Sequence, residues 1–122
     1  MICGFGIDMV DIKRMEKAVD SAAFLFRVFT EKERLHCQEH KNAIQTLAGM
    51  FAAKEAIAKA LGIGLYRQAF SDIVILHGEN GAPYPCLHGR ALRKMHEIGG
   101  ARVLISLSHE KEMAIAAAIV EG

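Results

Sequence analysis

Three residues in this 122-residue chain have types and spacing that could do chemistry together: Asp8, Glu55 and Lys59. Asp8 stands in the apolar stretch of residues 2–10. There a two-residue period places Cys3, Phe5, Ile7 and Met9 on one face and Gly4, Gly6 and Asp8 on the other. Asp8 thus projects away from the bulkier apolar side. Glu55 and Lys59 lie one helical turn apart and share a face. On their own they make an ordinary surface ion pair, worth about 0.2–0.5 kcal/mol. Taken with Asp8, they also describe a site for a hard cation and a phosphate. Mg²⁺ is held by one or two carboxylates, keeps several waters and shares phosphate oxygens. Spacing alone leaves both readings open.

A second cluster is Ser106-Leu107-Ser108-His109, where the serines share a strand face and the histidine meets a turn. It reads either as a polar strand end or as a set of phosphate donors. His109-Glu110-Lys111-Glu112-Met113 is not His-Glu-x-x-His, which excludes the zinc-protease motif. Gly4-Phe5-Gly6 lacks the third glycine of a dinucleotide fingerprint. Gly62 and Gly64 follow a helical pattern, where glycine is the ordinary stop; they gain interest only if their amides face a phosphate. His36, His40, His77, His88 and His96 show no ligand spacing and read as surface or structural.

The elements that must position these residues follow from pattern and punctuation. Residues 2–10 suit a strand, and Asp11 can cap a helix running to about Ala23. Thr30-Glu31-Lys32-Glu33 matches a capping box and starts a short helix to about Glu39. An Ala-rich helical pattern spans about Lys41 to Leu61, with Leu47, Met50, Ile57 and Leu61 at helical spacing. Residues 70–76 read as a strand. Asn80-Gly81 is a tight-turn signal, and residues 82–87 supply a returning strand that two prolines demote to an edge. A helix over 89–98 stops at Gly99-Gly100. Arg102 to Ser108 and Met113 to Val120 then form a hairpin around a charged turn. The order β-α-α-α-β-β-α-β-β indicates a single α+β domain over residues 1–122, with helices packed on a mainly antiparallel sheet.

Composition bounds the function classes. A net charge of +1 offers no global basic field for nucleic acid. No apolar run approaches the roughly 20 residues of a membrane span, and the start lacks a signal-peptide pattern. Three widely spaced cysteines without Cys-x-x-Cys read as reduced thiols, so a cytoplasmic setting is expected.

In this order, the pieces resemble the holo-[acyl-carrier-protein] synthase family of 4′-phosphopantetheinyl transferases. The matching stretches are Gly4-Phe5-Gly6-Ile7-Asp8-Met9-Val10, Phe51-Ala52-Ala53-Lys54-Glu55-Ala56 and Lys59-Ala60-Leu61-Gly62-Ile63-Gly64. Phe70-Ser71-Asp72-Ile73, Asn80-Gly81-Ala82-Pro83 and Ser106-Leu107-Ser108-His109 complete the series. The resemblance implies transfer of the phosphopantetheine arm of coenzyme A to a serine of apo acyl carrier protein, with release of adenosine 3′,5′-bisphosphate. It implies Asp8 and Glu55 as Mg²⁺ ligands and Lys59 as the cation beside them. It leaves Lys54 either a second cation at the cofactor or a solvated side chain. By the same resemblance Gly62, Gly64 and Pro83 lie along coenzyme A, and Ser108 and His109 contact its 3′-phosphate end. Arg14, Lys17, Phe24 and Arg27 form a carrier-protein docking surface that is partly basic and partly greasy. The chain's length suits the family's homotrimeric branch. The serine nucleophile belongs to the partner, and its proton goes to Glu55 or to a metal-bound water.

Three positions depart from the family pattern: Met50 stands where Arg is common, Ile63 where Thr is usual, and Ala82 where Lys often precedes Pro83. Two other readings remain: a Mg²⁺-dependent hydrolase of a nucleotide diphosphate, and a non-catalytic subunit binding coenzyme A or the carrier.

Overall fold

In the computed structural model, which describes residues 1–64 and 70–122, a long helix lies across a small antiparallel sheet. The sheet has the order β1-β5-β4, from β1 (Ile2–Asp11), β4 (Arg102–His109) and β5 (Met113–Glu121). A separate antiparallel ribbon pairs β2 (Ile73–His77) with β3 (Pro83–Leu87). The helices are α1 (Ile12–Ala18), α2 (Ala22–Val28), α3 (Glu31–Gln38), α4 (Ala43–Leu61) and α5 (Gly89–Glu97). Every strand pairing is antiparallel, as expected for an α+β domain with helices on one side of the sheet.

The inward face of β5 is Ala114, Ala116, Ala118 and Val120, all buried, and it meets Ala52, Ala53, Ala56 and Ala60 of α4. Small residues on both sides let helix and sheet approach closely. β1 takes this further. A Cβ added to Gly6 would overlap the carbonyl oxygen of Ala56, and one added to Gly4 would overlap that of Ala60. The backbone of β1 therefore lies directly against α4. Its glycine face is the inner one, while Phe5, Ile7 and Met9 point outward and are exposed. Gly62 closes α4 at φ 74°, with Ile63 N–H donating to the Ala58 carbonyl at 2.9 Å.

Two expectations are corrected. The single helix from Asp11 to about Ala23 is two helices. Asp11 caps α1 by accepting from Arg14 N–H at 3.0 Å, but Ser21 accepts from Phe24 N–H at 3.2 Å and starts α2 afresh. The strand expected from Phe70 starts at Ile73, because Phe70–Asp72 form a 3-10 turn. Asp72 is engaged there by α5: its carboxylate accepts from Arg90 N–H at 3.2 Å and its carbonyl from His88 N–H at 2.8 Å. Among the described residues, no helix is long and apolar enough to cross a membrane.

Candidate active site

The close contact of β1 with α4 brings Asp8 to the side of Glu55 and Lys59. Lys59 Nζ donates to Asp8 Oδ1 at 2.9 Å and to the Ile7 carbonyl at 3.0 Å. An ammonium has three donors, so among the described residues one N–H is left for an incoming oxygen. The Lys59 side chain is 54% exposed and that of Asp8 only 17%, so the pair opens to solvent on the lysine's side. Burial lifts the Glu55 carboxyl above the usual glutamate value, the neighbouring Asp8 carboxylate lifts it further, and Lys59 opposes both. Two carboxylates side by side, the Asp8 charge lifting the proton affinity of Glu55, suit a bound cation at the opening they share. No group of three His, Cys, Asp or Glu side chains among the described residues is arranged to hold a metal. The protein's share of such a site is thus one or two carboxylates, the number Mg²⁺ takes when phosphate oxygens and waters complete its shell.

Asp8 and Glu55 open onto a cleft of about 350 Å³, walled by Arg14 and Met15 of α1, Phe24 of α2 and Phe51 of α4. Phe24 is held by its ring contact with Phe51, 6.0 Å between centroids, and Phe51 leans in turn on Phe70 at 5.8 Å. The cleft therefore runs from charged to apolar. Lys17 and Arg27 are exposed on the same two helices but do not line it.

Pro83, Ser108 and His109 meet elsewhere, in a separate cavity of about 190 Å³ shared with Met50, Thr46 and His77. Gly62 borders neither space. It lies beside Arg90, Arg93 and Lys94 of α5, and Gly64 follows two residues on.

Lys54 is the one expected site residue that the structure removes. It is neither free to reach a bound cofactor nor solvated, because its side chain is fully buried. Its ammonium reaches Glu33 Oε1 at 3.0 Å and the carbonyls of Phe70 at 2.9 Å and Ile73 at 2.6 Å. All three donors are used. Burial pulls the lysine's proton affinity down, and the Glu33 carboxylate pulls it back up. Glu33 also accepts Thr30 N–H and Ile75 N–H, each at 2.8 Å, so the pair staples α3, α4 and β2 together.

The structure also groups three histidines that have no ligand spacing in the chain: His77 stacks on His36, which lies against His40.

Comparison with known proteins shows the family. Residues 4–117 match the family described as the 4′-phosphopantetheinyl transferase superfamily. The chain belongs to that superfamily. A relative named holo-[acyl-carrier-protein] synthase from Treponema denticola is 42% identical, covering 100% of both chains. The crystal structure of holo-[acyl-carrier-protein] synthase from Neisseria meningitidis superimposes with a TM-score of 0.87 at 38% identity, again over 100% of each chain. The Helicobacter pylori synthase, solved in complex with coenzyme A, matches at TM-score 0.80 and 35% identity, over 96% of this chain and 99% of that one. The Asp8–Lys59 contact lies within the stretch that the family matches, where β1 meets α4.

Proposed function

We propose that this chain is a holo-[acyl-carrier-protein] synthase. It moves 4′-phosphopantetheine from coenzyme A to a serine of apo acyl carrier protein and releases adenosine 3′,5′-bisphosphate. The observation that carries the reading is the Asp8–Lys59 contact beside Glu55 at the head of a cleft that turns apolar. Such a cleft takes a pyrophosphate at one end and a flexible arm along its wall. Full-length likeness to synthases of that name supports the same chemistry.

Asp8 and Glu55 are the residues that would hold Mg²⁺, which would supply Lewis-acid stabilisation of the pyrophosphate's charge. Lys59 turns its free N–H to a phosphate oxygen, where charge grows as the P–O bond to the leaving nucleotide breaks. Asp8 and the Ile7 carbonyl hold that ammonium in place and restrict its rotamers. Glu55, with its raised proton affinity, accepts the proton of the carrier serine hydroxyl as that oxygen bonds to phosphorus. At the other cavity, Ser108 and His109 receive the 3′-phosphate end, beside Pro83. Gly62 and Gly64 let the chain pass close to the nucleotide.

The carrier docks on α1 and α2. Arg14, Lys17 and Arg27 face its acidic surface and Phe24 supplies the apolar contact. Raising salt weakens this docking, and Arg14→Ala removes much of the salt effect. The outward face of β1 and β4 supports self-association into the homotrimer. Phe5 is 61% exposed, Met9 62% and Leu104 45%, with Ile119 of β5 in register between Phe5 and Leu104, a greasy face that another copy would cover.

Mass spectrometry of the carrier tests the function directly. Apo acyl carrier protein incubated with this chain, coenzyme A and Mg²⁺ gains a phosphopantetheine. The gain disappears with chelator and in Asp8→Ala. An unchanged mass across several apo carriers defeats the reading.

A further inference from the structure

One face of the β2–β3 ribbon carries a thiol and an imidazole aimed at each other. A two-residue period along β3 puts Cys86 on the side opposite Pro83, Pro85 and Leu87, and His88 follows on that same side just past the strand end. Cys86 Sγ and His88 Nε2 lie 3.5 Å apart. Both border a groove of about 350 Å³, with Val74 and Leu76 of β2 and, from α3, Glu31 and Lys32. Neither the cleft at Asp8 nor the cavity at Ser108 shares a residue with it.

The backbone fixes this pair. Cys86 is held in register opposite Val74. His88 N–H donates to the Asp72 carbonyl at 2.8 Å, and the His88 carbonyl accepts from Leu92 N–H at 3.2 Å as α5 begins. The other two thiols have no nitrogen partner among the described residues. Cys37 is buried 3.7 Å from Met50 Sδ, and burial followed by the Glu33 charge pushes its thiol up to about 12. Cys3 Sγ reaches the Met1 carbonyl at 3.6 Å.

A sulfur and a nitrogen 3.5 Å apart make a thiol–imidazole hydrogen bond, but they also have the spacing of two ligands on one ion. Zinc–thiolate bonds of about 2.3 Å and zinc–imidazole bonds of about 2.0–2.1 Å, set at the tetrahedral angle, separate the two atoms by about 3.5 Å. Cys86 is half-buried and His88 exposed, so an ion reaches both from the groove without rearrangement. Thiolate and imidazole suit zinc and softer ions, whereas Mg²⁺ takes hard oxygen ligands.

We propose that Cys86 and His88 form a metal site for Zn²⁺ or another thiophilic divalent ion, apart from the catalytic cluster. No third His, Cys, Asp or Glu joins them among the described residues, so waters complete the shell and the site is open. As the metal–sulfur bond forms, the thiol proton leaves for solvent. The bound ion ties the end of β3 to the start of α5 and stabilises the folded chain by mass action. None of this depends on the transferase reading.

Co²⁺ is the probe, because its bond to a thiolate gives a near-ultraviolet charge-transfer band that carboxylate and imidazole ligands do not. The reduced full-length chain, freed of metal by chelation, is titrated with Co²⁺ in excess Mg²⁺, which fills the hard carboxylate sites. The band should rise to one ion per chain and fade when Zn²⁺ is added. Cys86→Ser should abolish it. His88→Ala should weaken Co²⁺ binding by about tenfold or more, since even changes beyond the direct ligands cost that much. Cys3→Ser and His36→Phe should change neither band nor affinity. Zn²⁺ should also raise the thermal midpoint of the unaltered chain but not that of Cys86→Ser. His88→Ala alters an exposed side chain, so it keeps the test decisive if Cys86→Ser folds poorly. No band in the unaltered chain, a band that survives Cys86→Ser, or an affinity indifferent to His88→Ala overturns the site and leaves the pair as a hydrogen bond only.

Discussion

Two lysines five residues apart on α4 meet opposite fates. Lys54 is wholly buried, its three donors fixed by one carboxylate and two carbonyls. Lys59 is 54% exposed, with two donors held and the third without a partner among the described residues. Both sit near acids, and both look alike in a Lys-Glu-Ala-x-x-Lys sequence. The difference is saturation. A fully satisfied buried cation can only hold structure, whereas a partly satisfied one at a cleft can still bind something. The Lys54 region is therefore the frame, and the Asp8–Lys59 region is the site mounted on it.

The sharpest way to break this distinction is to remove each ammonium with a side chain of similar length. Lys54→Met leaves the Glu33 carboxylate buried without its partner, which typically costs about 3–5 kcal/mol. The expected result in a urea titration is a large fall in stability. Lys59→Met loses an exposed pair, worth at most about 1 kcal/mol, so its unfolding curve stays near that of the unaltered protein. Its rate of carrier modification, however, falls by about 10²–10³, as expected when one charge-stabilising donor is lost. If the two variants exchanged phenotypes, frame and site would have been assigned the wrong way round.

A smaller effect separates geometry from mere stability. Gly6 and Gly4 each place bare backbone against a carbonyl of α4, but Gly6 is two residues from Asp8 and Gly4 is four. Alanine at either position pushes β1 off the helix, so both variants lose comparable stability. A displacement of about 1 Å at a reacting group can cost on the order of 10²-fold in rate. Gly6→Ala is expected to show most of that loss and Gly4→Ala clearly less. Equal rate losses in single-turnover measurements would mean that the strand shifts as a whole.

Much of this was legible in the chain, and the exceptions have physical reasons. Period-two alternation placed Asp8 on the glycine face of β1, and helical spacing placed Glu55 beside Lys59. Neither pattern revealed that the glycine face is the inner one. Residues that look like the core, Phe5, Ile7 and Met9, lie outside, because backbone contact with α4 replaces side-chain packing there. Lys54 escapes the sequence pattern because its acceptors come from residues 16 to 21 positions away, beyond the reach of any local spacing. Glu33 was read correctly as a capping-box acid, yet the same carboxylate also closes the buried pair, and one local role gave no hint of a second. The histidine stack was invisible for the same reason: His36 and His77 meet only when α3 packs on β2. The break at Ser21 was a matter of competing caps, since Asp11 and Ser21 each start a helix.

That stack supplies the smallest prediction and the last contrast with Lys54. The buried lysine has a countercharge at 3.0 Å, whereas His77 Nδ1 is buried with no partner among the described residues. A group whose folded proton affinity lies below its unfolded value takes up its proton first in the unfolded chain as pH falls. His36 and His77 are both shifted that way, by burial first. Stability is therefore complete above roughly pH 6.5, the ordinary histidine value, and declines as pH drops below it. Denaturation midpoints measured from pH 8 down to pH 5 should be level and then fall. His36→Phe removes one titrating ring and relieves the repulsion on His77, so its fall should be shallower. A midpoint that rises on acidification would mean that the folded stack holds protons more tightly than the unfolded chain, and a fall just as steep without His36 would mean that His36 does not cause it.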